Sequence, residues 1–185
     1  LQVAVALLIC VFFSRPTIAA EVVLVHGTMA RRPNDSSGRI DLDLEPPTIG
    51  PTFWEVLFVG AGASVGQTRP AVSDWAKFDR LELVLINPQD EPVKITLTVK
   101  HARSGSYPKR VDQTLQLKPG RSTTTIDITT TRNNDGSVPD WDSVRHWYLA
   151  SGQAETRLRI VSVCLLTRSH SDAAQLVRQR YEVSG

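Results

Sequence analysis

Val93-Lys94-Ile95-Thr96-Leu97-Thr98-Val99-Lys100 decides the fold of this chain. Val93, Ile95, Leu97 and Val99 alternate with Lys94, Thr96, Thr98 and Lys100, and a pleated strand sends such alternate residues to opposite faces. One face of this segment therefore belongs to a core and the other to water. Asn87-Pro88 and Glu91-Pro92 precede the strand, and both break regular structure where a strand must stop. Working outward, further alternating or apolar segments bounded by Gly, Pro, Asn and Asp predict strands over 21–26, 39–44, 53–59, 80–86, 93–101, 111–117, 123–129, 144–149 and 156–166. About nine short strands with turn signals between them predict an all-β, two-sheet antiparallel β-sandwich of the jelly-roll kind. Ala and Leu at helical spacing over 171–181, opened by Ser171-Asp172, predict a short C-terminal helix or tail within 168–185.

Composition agrees with one globular domain over 21–167. The 185 residues are 41% hydrophobic and 22% charged, enough apolar material for a core without staples. A formal net charge of +2, with Lys and Arg scattered along the chain, gives no footprint for nucleic acid or an anionic membrane. Residues 1–20 differ in kind: an uncharged apolar run over 3–13, then Ser14-Arg15-Pro16, then Thr17-Ile18-Ala19-Ala20. That pattern predicts a secretory signal peptide, and the run is too short to span a bilayer. A secreted or periplasmic location is the expectation, with no membrane attachment after cleavage. Cys164 is then the one remaining cysteine, so no intramolecular disulfide forms, and its apolar neighbours read as a strand.

Several segments carry a resemblance. Trp75 opens WAKFDRLELVLIN at 75–87, followed by Pro88-Gln89-Asp90-Glu91-Pro92-Val93, Tyr107-Pro108-Lys109-Arg110-Val111, Leu117-Lys118-Pro119-Gly120-Arg121-Ser122 and Asp142-Ser143-Val144. Together they resemble the carbohydrate-binding-module-like, galactose-binding-like domains of bacteria, over about half the chain. The resemblance implies a β-sandwich that binds a polysaccharide or other glycan without catalysis, beside separate polysaccharide-degrading enzymes. The chain departs from that pattern where Val111 replaces an aromatic after Arg110 and where Val161-Ser162 follows Ile160.

Sugars present apolar CH faces beside hydroxyls, so an exposed aromatic ring paired with fixed polar groups is the chemistry to seek. Trp54, Tyr107 with Arg110, and Trp141 are the candidate ligand-binding residues, Trp75 and Trp147 being assigned to structure. The polar strand faces, with Lys94, Thr96, Thr98, Lys100, Arg110, Asp112, Thr114, Gln116, Thr125 and Asp127, form a second candidate surface that reads as lacking aromatics. The alternative function is a cell-envelope protein-interaction or structural domain. Burial of Trp54, Tyr107 and Trp141 would favour it, and exposure on one patch would favour sugar.

Catalysis and metal binding draw weaker support. Gly62-Ala63-Ser64-Val65-Gly66 matches the G-x-S-x-G of a nucleophile elbow, and Val22-Val23-Leu24-Val25-His26-Gly27 looks like the opening strand of an α/β-hydrolase. An elbow requires a strand entering and a helix leaving, and Gln67-Thr68-Arg69-Pro70 does not begin a helix. No enzyme is expected. Asp41, Asp43 and Glu45 lie two apart and suggest a structural calcium at most, and His26, His101, His146 and His170 lack zinc spacing. No cofactor or bound metal is the expectation.

Overall fold

The computed structural model describes residues 21–26, 33, 35–37, 40–43 and 53–167. The expected signal segment and C-terminal helix lie outside these residues. The described strands run β1 (Glu21–His26), β2 (Asp35–Ser37), β3 (Ile40–Asp43), β4 (Trp54–Phe58), β5 (Ser64–Thr68) and β6 (Arg80–Asn87). They continue as β7 (Val93–His101), β8 (Val111–Leu117), β9 (Gly120–Asp127), β10 (Val144–Ser151) and β11 (Thr156–Leu166). One sheet has the order β3-β4-β11-β6-β9, with β1 also paired to β11, and the other has β2-β5-β10-β7-β8. Every ladder is antiparallel. The pairs β4·β11, β5·β10, β6·β9 and β7·β8 are nested like a long hairpin rolled on itself, which is jelly-roll connectivity.

The expected all-β antiparallel sandwich is the observed fold, with two strands added. β5 and β2 form where a flexible turn and a polar loop were expected. Ser64, Gly66 and Gln67 have little intrinsic strand preference, and burial supplies what propensity lacks, because Val65 is fully enclosed in the core. Gln67 reaches inward from β5 and donates from Nε2 to the Leu24 carbonyl of β1 at 2.8 Å. It also accepts at Oε1 from Trp147 Nε1 at 3.2 Å, so one buried side chain ties the two sheets together.

The core lies between the inner faces. Val56 and Phe58 of β4, Leu81, Leu83 and Leu85 of β6, Ile95, Leu97 and Val99 of β7, and Trp147 and Leu149 of β10 are all buried there. Two irregularities set which residues face inward. In β10 the register slips between Val144 and His146, so Val144, Trp147 and Leu149 share the core although their numbers differ in parity. In β11 a slip between Ile160 and Ser162 does the same for Leu158 and Ile160 against Val163 and Leu165. Each inserted residue acts as a β-bulge that reverses the alternation beyond it. At the β6–β7 turn, Asn87 donates from Nδ2 to the carbonyls of Glu91 at 2.8 Å and Leu117 at 3.2 Å, fixing the Asn-Pro turn from inside.

Candidate functional site

The outward residues of β10, β7 and β8 form three rows across the five-stranded sheet. Register places Gly66, Tyr148, Thr98 and Asp112 in one row. Ser64, Ala150, Thr96 and Thr114 make the next row on one side, and Thr68, His146 and Lys100 the row on the other. A hollow of about 420 Å³ opens over the first two rows, lined among others by Thr96, Thr98, Tyr107, Arg110, Asp112 and Tyr148. Tyr148 stands at its floor and Tyr107 at its rim. The surface that reads as lacking aromatics therefore carries two, because Tyr148 joins Thr98 only through the β10–β7 ladder and the slip after Val144 points it outward.

The polar groups around the hollow are held in place. Asp112 accepts from Thr98 Oγ1 at 2.6 Å, from Arg110 Nε at 3.0 Å and from Asn134 Nδ2 at 2.9 Å. Burial opposes ionisation of Asp112, yet the hydrogen bonds from Thr98, Asn134 and Arg110 outweigh it and hold the carboxyl below the ordinary carboxylate range. Thr98 is buried in spite of its outward position, and its hydroxyl is committed to that carboxylate.

Arg110 lies with its guanidinium carbon 4.4 Å from the centre of the Tyr107 ring, in cation–π contact. Tyr107 is 63% exposed, one of two large hydrophobic side chains so placed among the described residues. The loop that follows β9 fastens this corner. Asn134 donates to the Tyr107 carbonyl at 3.2 Å, and its own N–H donates to the Arg110 carbonyl at 2.9 Å. Asn134 is thus a positioning residue that sequence reading did not single out.

Beside Tyr148, the Lys100 ammonium sits 5.3 Å from the ring centre, and the His146 ring packs at 4.9 Å with a tilt of 48°. Gly66 faces Tyr148 from β5, where a Cβ would meet the Trp147 carbonyl oxygen at 2.0 Å. Only glycine allows the strands to approach that closely. The same geometry accounts for the G-x-S-x-G match: Gly62 takes a left-handed turn with φ +79°, and Gly66 permits strand contact. Ser64 opens a β-strand opposite Ala150, so the strand-to-helix elbow of a nucleophilic serine is not formed.

The four residues singled out for binding do not form one patch. Tyr107 and Arg110 meet at the hollow. Trp54 is only 1% exposed and packs within the core, a correction with a simple cause: in Phe53-Trp54-Glu55-Val56-Leu57-Phe58 it shares the inward face with Val56 and Phe58. Trp141 is partly buried and stacks on Trp75, with ring centres 6.1 Å apart and planes within 7°. Trp75 N–H donates to the Trp141 carbonyl at 2.6 Å, so Trp141 clasps two loops together rather than lining the hollow.

Among the described residues no group of three or more His, Cys, Asp or Glu side chains converges where a metal ion would bind. Asp41 and Asp43 lie on β3, while their side chains and Glu45 fall outside the described part. His101 is committed elsewhere, its Nε2 lying 3.2 Å from Asn133 Oδ1. No described helix is long and apolar enough to cross a membrane.

No protein-family model and no curated protein matches this chain. Solved structures do. A family 11 carbohydrate-binding module from Clostridium thermocellum, solved with a β-1,3-1,4-mixed-linked tetrasaccharide, superposes with a TM-score of 0.51 at 8% identity, covering 84% of this chain and 92% of that one. The low-affinity xylan-binding module CBM86 from Roseburia intestinalis gives 0.51 at 13% identity, covering 84% and 98%. The fold is that of a carbohydrate-binding module. An agarase also matches, with a TM-score of 0.57 at 8% identity, over 78% of this chain and 24% of the enzyme. The carbohydrate-binding-module-like sandwich thus corresponds to one part of a larger catalytic chain in that case.

Proposed function

We propose that this chain is an exported, non-catalytic module that binds a glycan on the outer face of its five-stranded sheet. The observation that carries the reading is the pairing of Tyr148 and Tyr107 with polar groups already oriented by their own hydrogen bonds. Sugar binding calls for flat apolar surface next to donors and acceptors that need no reorganisation. Tyr148 and Tyr107 offer the rings, while Arg110 and Asp112 offer a guanidinium and a carboxylate held at 3.0 Å from each other. Thr96 and Thr114 add hydroxyls at the same hollow.

The fold supports the same reading without naming a ligand, since one architecture hosts many functions. Export rests on the apolar run and small-residue end of residues 1–20. Ser64 begins a β-strand, which accounts for the G-x-S-x-G match without a nucleophile elbow. Titration of the chain with soluble xylan and mixed-linkage glucan fragments, read by calorimetry, tests the proposal. Saturable binding that is lost in Tyr148→Ala is expected. Binding of no glycan across a broad panel would overturn it and return the chain to the protein-interaction reading.

A further inference from the structure

From the row that adjoins Tyr148, we infer that the glycan is acidic: its uronate carboxylate or sulfate ester sits in a cationic depression at one end of the sheet face. The inference rests on the glycan-binding reading and adds the class of sugar. A second depression of about 640 Å³ continues from the Thr68–His146–Lys100 row and is lined by Thr68, Arg69, Lys100, His101, Arg145 and His146, with small loop residues completing it. Three of these side chains are permanent cations at neutral pH, and no carboxylate is among the lining residues.

Five cations elsewhere on the molecule are matched locally, and those that are not, such as Lys94, Lys118 and Arg121, do not line this depression. Arg110 pairs with Asp112, Arg103 with Asp140, Lys77 with Asp74, and Arg157 and Arg159 both with Glu55. Arg69, Lys100 and Arg145 have no acidic partner among the described residues. Like charges gathered without counter-charge repel one another, and a bound anion relieves that repulsion. The backbone also works to gather them. Arg69 adopts a left-handed conformation with φ +49°, which a side-chain-bearing residue rarely takes. Its N–H donates to the Arg145 carbonyl at 2.7 Å, bringing the two arginines to the same end of β10. Strain of this kind persists where the surrounding structure imposes it, and it concentrates at ligand sites.

Lys100 joins the two halves. It lines the cationic depression and its ammonium lies over the Tyr148 ring. A sugar that packs against Tyr148 therefore meets this ammonium at the same ring, and the depression that Lys100 also lines holds the guanidinium groups of Arg69 and Arg145. Arginine forks match carboxylate and sulfate oxygens in bidentate fashion, and water competes less well for them than for an ammonium.

The test uses backbone-matched ligands: polygalacturonate against its methyl ester, and dextran sulfate against dextran, with polyglutamate as an anion that carries no sugar. The charged member of at least one pair should bind about tenfold or more tightly, with the advantage shrinking as salt rises. The uronate and sulfate arms identify which anion is preferred. Arg145→Gln should reduce the preference while weaker binding to the neutral member persists, Lys100→Gln should reduce the preference, and Tyr148→Ala should lower binding of both members. Arg69→Gly, which keeps the left-handed backbone accessible, provides a third variant should either glutamine variant fold poorly. Equal affinity for charged and neutral members, or polyglutamate binding as tightly as the acidic glycan, overturns the inference and leaves the glycan-binding reading standing. Binding of no glycan, charged or neutral, overturns both.

Discussion

The outer faces of the two sheets are built from similar residue types that satisfy one another to different degrees. On the six-stranded sheet, Glu55 of β4 faces Arg159 of β11 in register. Its oxygens accept from Arg159 Nε at 2.9 Å and Arg157 Nη1 at 3.4 Å, and Arg159 also covers the Phe53 ring at 4.8 Å. Charge and aromatic surface there satisfy each other. On the five-stranded sheet, Tyr107 remains 63% exposed and Lys100 has an aromatic ring beneath it but no acid beside it. Arg110 repeats that arrangement with Asp112 and Tyr107 on the second face, but there the ring stays mostly exposed and Lys100 is left without an acid. The presence of charged and aromatic residues on a strand is thus a poor guide to function, and how far they satisfy one another is a better one.

The strongest way to break this comparison is to disturb the strand contact beneath Tyr148. Gly66→Val places side-chain atoms where a Cβ already meets backbone oxygen at 2.0 Å. A loss of about 3 kcal/mol or more in unfolding free energy is expected, as for overpacked interiors, measured by urea denaturation. Gly62→Ala, at φ +79° with open space around it, should cost only about 1 kcal/mol from backbone strain. Equal losses at the two glycines would remove the close-approach argument.

Tyr148→Ala and Glu55→Gln separate the two faces directly. The tyrosine variant should weaken glycan binding at least about tenfold, equivalent to roughly 1.4 kcal/mol, with a modest effect on folding. The glutamine variant should leave binding unchanged and alter stability by no more than about 1 kcal/mol, as for partly exposed ion pairs. Calorimetry and denaturation on the same two proteins check both halves.

A smaller effect sharpens the account of preorganisation. The folded-state pKa of Asp112 is depressed, so ionised Asp112 stabilises the fold above the ordinary carboxylate value and that contribution fades as pH falls through the depressed value. Asp112→Asn should therefore be less stable than the parent near neutrality, with the gap closing on acidification. A gap that widens in acid would contradict the hydrogen-bond network around it. The smallest effect concerns Cys164. Burial, with the Glu21 charge nearby, pushes its thiol up to about 11, so alkylating reagents at mildly alkaline pH should leave it unmodified until the protein unfolds.

What could be read from the sequence follows a physical division. β7 was legible because its alternation is uninterrupted and both ends carry turn residues. β5 was not, since its Ser, Gly and Gln residues become a strand only through partners on β2 and β10. Tyr107 and Arg110 were legible as a pair because only two residues separate them across a Pro-containing turn. Tyr148 was not, because its neighbours Thr98 and Gly66 are distant in sequence and a bulge after Val144 inverts the alternation that would have aimed it. Trp54 misled for the opposite reason: four of the five residues in Trp54–Phe58 are apolar, so periodicity says little about which face is buried.

Backbone amide shifts recorded during titration with a soluble glycan fragment report which outer face the sugar occupies. The perturbed residues should cluster at Gly66, Thr96, Thr98, Tyr107, Arg110 and Tyr148, with Glu55, Arg157 and Arg159 unmoved. Perturbations centred on the six-stranded face, around Glu55 and Arg159, would contradict binding on the five-stranded sheet.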